Sequence, residues 1–92
     1  MATFAKKIRD MQIIYQVAYK ITEENRTIRD CFSIHKTLKG ASAVFEEIIE
    51  DCNLNDGYIL LSKTDKIAEY KIISRPTEQH LTIYINPIPL QP

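Results

Sequence analysis

The chain has 92 residues, 45% of them hydrophobic and 26% charged, with twelve basic residues balancing twelve acidic ones. This length supports one domain with a single modest core, and two glycines with four prolines exclude a low-complexity or collagen-like chain. Neutrality removes the simplest electrostatic case for nucleic acid or an anionic membrane, partners usually met with a surplus of Lys and Arg.

The charges are nevertheless segregated. Residues 1–40 carry eight basic and four acidic residues, residues 41–60 five acidic and no basic, and residues 61–92 four basic and three acidic. No apolar run is long enough to span a bilayer, and no hydrophobic stretch follows Lys6, Lys7 and Arg9 as a secretory signal requires. A cytoplasmic protein with no membrane partner is expected. Cys31 and Cys52 both fall on apolar stripes, where reduced thiols act as small hydrophobes.

Thr3 suits the N-cap of a first helix over residues 4–24, with Asn25 as the left-handed residue at its end. Phe4, Ile8, Met11, Ile14, Tyr15, Ala18 and Ile21 form its apolar face, and Ile13 and Val17 widen that face. A helix this apolar is covered on more than one side, either as a central helix wrapped by the sheet and two other helices or at a homodimer interface, for which Met11, Ile13 and Val17 are the candidates. Thr27 and Asp30 resemble a capping box opening a second helix that ends at Gly40, although Cys31 to His35 also alternates as a strand does.

Ala41 to Leu54 is the most strongly patterned stretch. Ala41, Val44, Phe45, Ile48, Ile49 and Cys52 recur at helical spacing, and Glu46, Glu47, Glu50 and Asp51 take the other side. Burying Val44, Phe45, Ile48 and Ile49 contributes roughly 1.5–3 kcal/mol each, so this helix organises the core. Asn53 to Gly57 then marks a turn.

Extended periodicity follows. Tyr58 to Leu61 reads as a short buried strand, Ile67 to Ser74 as a second and Leu81 to Ile85 as a third, joined as an antiparallel meander by short links. Pro87, Pro89 and Pro92 remove ladder donors, so residues 87–92 are expected to form an extended tail outside the sheet. The fold expected is α+β, with three helices packed on a three-stranded antiparallel β-meander in residues 1–86.

Helices followed by a hairpin also give the order of a winged-helix domain, in which Lys36, Lys39, Lys63 and Lys66 would contact nucleic acid. Against that, a recognition helix carrying four carboxylates is repelled by phosphate, and lysines at a sheet edge commonly keep it unpaired. Cys31, His35, Cys52 and His80 lack the close ligand pairs of structural zinc sites. No nucleophile with a base, no metal cluster and no glycine-rich phosphate loop is recognisable, so no enzyme, metal or cofactor is expected.

The acidic face carries the functional reading. Glu46 with Glu50, and Glu47 with Asp51, place like charges four residues apart, each pair costing about 0.2–0.5 kcal/mol. A solvated face is the bland account. The functional one is a small regulatory or adaptor domain whose residues Glu46, Glu47, Glu50 and Asp51 meet a protein partner with a basic surface, with homodimerisation in addition; the alternative is a winged-helix DNA-binding regulator.

Overall fold

The computed structural model describes residues 12–73 and 77–90. Five strands and one helix make up these residues: β1 (Gln12–Glu23), β2 (Arg26–His35), α1 (Leu38–Asn53), β3 (Tyr58–Lys63), β4 (Ile67–Ile73) and β5 (Glu78–Leu90). The strands form one antiparallel sheet in the order β2-β1-β5-β4-β3. The helix is the crossover that carries the chain from one edge of the sheet to the other.

The expected three-helix architecture is therefore replaced by a mostly β one. Residues 12–23 of the expected first helix are β1, and residues 4–11 lie outside the described part. Tyr15, Val17, Tyr19 and Ile21 alternate with Gln16, Ala18, Lys20 and Thr22, and their β-branched and aromatic side chains suit a pleated surface. Residues 26–35 of the second expected helix are β2, in line with the strand-like alternation at Cys31 to His35. Glu24 and Asn25 join the two strands with φ of 51° and 65°, the two-residue turn whose twist matches the strands it connects. Asn25 is left-handed as expected, but within a hairpin.

Gly40 does not end a helix. It lies in the first turn of α1, where its N–H donates to the Thr37 hydroxyl at 3.0 Å, and Thr37 is the N-cap. The helix packs Ala41, Phe45, Ile49 and Cys52 on one face of the sheet, against Val17, Ala68, Tyr70, Ile72, Leu81, Ile83 and Ile85. Phe45, Tyr70 and Ile83 are completely enclosed.

The prolines do not stop the sheet. Ile85 N–H donates to the Lys66 carbonyl at 2.9 Å, so Ile85 and, by alternation, Pro87 and Pro89 turn their backbone groups toward the β4 side. The β4 pairing ends at Tyr84, leaving that side of Pro87 and Pro89 without a strand among the described residues, while Asn86, Ile88 and Leu90 pair with β1. No ladder donor is lost, so residues 87–90 belong to β5 rather than to a tail.

A candidate interaction surface on the β3 edge

Local sequence determines the flank of α1 that meets β3. Phe45 is buried at the centre of the helix, and one position round Glu46 emerges beside β3, where Lys63 Nζ donates to its carboxylate at 3.2 Å. The same ammonium stands 5.8 Å from the Phe45 ring centroid, so the Lys63 stem covers the core while its charge faces the helix. At the other end of the flank, Tyr70 on β4 donates its hydroxyl to Asn53 Oδ1 at 2.7 Å. Glu46, Glu50 and Asn53 recur at i, i+4 and i+7, so Glu50 lies between these two anchors.

All four expected acidic residues are exposed. Glu46 and Glu50 share the β3 flank, whereas Glu47 and Asp51 point from the solvent side of the helix. Among the described residues Glu46 is paired with Lys63, and Glu50, Glu47 and Asp51 form no ion pair.

Beneath this flank, β3 is a free edge among the described residues. Ile73 N–H donates to the Gly57 carbonyl, which turns Gly57 and Ile59 toward β4 and leaves the backbone groups of Tyr58 and Leu60 facing outward. The register shifts between Leu60 and Ser62, making Leu61 a bulge residue. Ile59, Leu60 and Leu61 are all substantially exposed, with no charge on the strand before Lys63. Residues 58–61 were expected as a buried strand; an edge position leaves them open instead. Such an edge invites another strand.

The other candidate residues are scattered. Val17, at 2% exposure, belongs to the core; Ile13 is 48% exposed opposite Pro89; Met11 lies outside the described residues. Lys36 follows β2, Lys39 lies in the first turn of α1, Lys63 is engaged by Glu46, and Lys66 sits in the β3–β4 turn. The described part contains one helix, so the helix–turn–helix arrangement behind the nucleic-acid reading of these lysines is replaced by sheet.

Cys52 is buried beneath α1 and Cys31 is exposed on β2; both are free thiols. Burial, reinforced by Asp51, raises the Cys52 pKa. Burial likewise raises the Tyr70 pKa, with further contributions from Cys52 and Glu46. Both groups are therefore held protonated, which suits structural roles. Among the described residues no group of three or more His, Cys, Asp or Glu is placed to hold a metal ion, and no helix is long and apolar enough to cross a membrane.

The sequence signal for the edge was the uncharged run Tyr58 to Leu61, but its exposure follows from strand order, which no local pattern encodes. No protein family matches the chain, and no curated protein or solved structure is significantly similar to it.

Proposed function

We propose that this domain acts by protein–protein contact, accepting an extended basic segment of a partner as a sixth strand along β3, under the acidic flank of α1. One observation carries the reading: the apolar run 58–61, an edge unpaired among the described residues, leads into Lys63, which Glu46 engages, and Glu50 follows Glu46 one turn along the same flank. Strand addition takes affinity from main-chain hydrogen bonds and specificity from alternate side chains. Here the outward groups of Tyr58 and Leu60 supply the first. A partner with apolar residues on one face and Lys or Arg toward the helix supplies the second, because Glu50 has no ion-pair partner among the described residues and Glu46 can exchange Lys63 for an incoming cation.

The test is NMR titration of the labelled protein with a synthetic peptide of about ten residues alternating lysine with valine, long enough to span the edge. Amide shifts confined to residues 57–63 and to Glu46 and Glu50 are expected. They should vanish in Leu60→Pro, which removes an outward donor without touching the β4 ladder, and weaken strongly in Glu46→Lys with Glu50→Lys. Peptide binding that persists in Leu60→Pro refutes strand addition at β3. Binding unaffected by the two lysine substitutions removes the acidic flank from the account.

A further inference from the structure

We infer that β2, the opposite edge, is the surface by which two copies of this chain associate, pairing antiparallel about a two-fold axis at Ser33. Strand parity follows from the ladder already described. Since Asn86 faces β1, Gln16 and Ala18 face β5, and Tyr15, Val17 and Tyr19 face β2. Their partners His35, Ser33 and Cys31 are thereby bonded to β1, and Asp30, Phe32 and Ile34 turn to the outside N–H and C=O groups that no described strand pairs. The edge extends through Thr37, whose backbone is still fully extended at φ −128° and ψ 152°. Ile28, the residue left over where the register shifts, lies at the far end and outside the proposed overlap of residues 30–36.

Self-pairing must match outward-facing residues, which restricts the axis to a few positions, and charge and apolarity select among them. An axis at Asp30 opposes that carboxylate to its own copy. An axis at Cys31 opposes Asp30 to Phe32 and draws the irregular residue Ile28 into the ladder; at Phe32 it opposes Asp30 to Ile34; at Ile34 it opposes Phe32 to Lys36. At Ser33, Phe32 lies opposite Ile34 of the second copy and Asp30 opposite its Lys36, each pairing occurring twice.

The exposed apolar pair and the exposed opposite charges are thus satisfied together. Phe32 is 63% exposed and Ile34 46%, and Asp30 and Lys36 form no ion pair among the described residues. Phe32 also continues a row of side chains across the sheet face that α1 does not cover, through Ala18 and Tyr84 to Ile67. The two-fold contact extends that row with Ile34 of the second copy. The β3 edge does not suit the same association, because pairing two β3 strands brings Glu46 and Glu50 of one copy toward those of the other. A ten-stranded sheet results, with a β3 edge free at each end.

Sedimentation equilibrium of the full chain over a concentration series tests the assignment, with circular dichroism to verify folding. A reversible dimer is expected, converted to monomer by Phe32→Pro and retained in Leu60→Pro. Asp30→Lys alone places four lysines at the contact, and Lys36→Asp alone four aspartates, so each should weaken the dimer about tenfold. An equimolar mixture of the two variants restores both ion pairs and should dimerise again. Wild-type protein that stays monomeric throughout, or a dimer that survives Phe32→Pro, overturns the proposal; single variants that weaken without recovery on mixing overturn the axis at Ser33.

Discussion

The Tyr70 hydroxyl on β4 reaches Asn53 in the last turn of α1, at 2.7 Å, although the Tyr70 residue as a whole is fully buried. This bond fixes the end of the helix over the sheet, and the Tyr58 ring meets Tyr70 edge-on with centroids 6.4 Å apart. Tyr70→Phe keeps the ring and removes only the hydroxyl, and the exposed Asn53 amide can turn to water. A loss of about 0.5–1.5 kcal/mol is expected, read as a lower urea midpoint with an unchanged slope. An unchanged midpoint would show that the bond does not contribute.

Cys52 and Tyr70 also set an alkaline limit. Burial is the main cause of both raised pKa values, so the folded chain retains protons that the unfolded chain releases. The stabilisation is complete below the ordinary thiol value of about 8.5 and is lost as pH rises past it and past the ordinary phenol value of about 10. Stability measured across this window should fall with pH, and Cys52→Ala combined with Tyr70→Phe should flatten the slope while lowering stability at neutral pH. An equally steep slope in the double variant would assign the alkaline loss to other groups.

The β1–β2 turn offers a gain in stability. Glu24 and Asn25 both have positive φ, a region that costs most L-residues about 1 kcal/mol and that Asn and Gly tolerate best. Glu24→Asn with Asn25→Gly installs the preferred pair for this turn and should raise stability by roughly 0.5–1 kcal/mol. Thermal unfolding decides the matter, and a lower midpoint would mean that the Glu24 side chain contributes more than its backbone costs.

The legible parts of the fold are those in which one periodicity dominates. In α1, the adjacent pairs Val44–Phe45 and Ile48–Ile49 against Glu46–Glu47 and Glu50–Asp51 are divided by a helix and not by alternation. In β4 and β5, Ala68, Tyr70 and Ile72, and Leu81, Ile83 and Ile85, alternate with polar neighbours. β1 carries two patterns at once: Ile14, Ala18 and Ile21 lie at helical spacing while Tyr15, Val17, Tyr19 and Ile21 alternate, and only the tertiary structure chooses between them. In β2, Phe32 and Ile34 are apolar on the uncovered sheet face, which obscures the alternation. The acidic half of the candidate surface was visible in the sequence because charge is local. The edge beside it was not, because it depends on which strand ends up last in the sheet.

The same dependence on strand order governs the prolines at the end of β5. Pro87 and Pro89 lie opposite Tyr15 and Ile13 with their donor side toward the open region beyond β4, whereas Ile88 is paired with Ile14. Pro87→Ala should therefore leave the ladder intact and change stability by a few tenths of a kcal/mol at most, the usual range for positions that lose no contact. Ile88→Pro removes a ladder donor and places the ring against β1, a local cost of about 3 kcal/mol. Since no third strand among the described residues flanks this end of the β1–β5 ribbon, the damage should remain there: hydrogen exchange should accelerate at Ile14 and Leu90 while Val17 and Ile83 keep their protection. Equal exchange in the two variants would mean that the pairing beyond Tyr84 is not maintained in solution; loss of protection at Val17 would mean that the ribbon end and the core open as one unit.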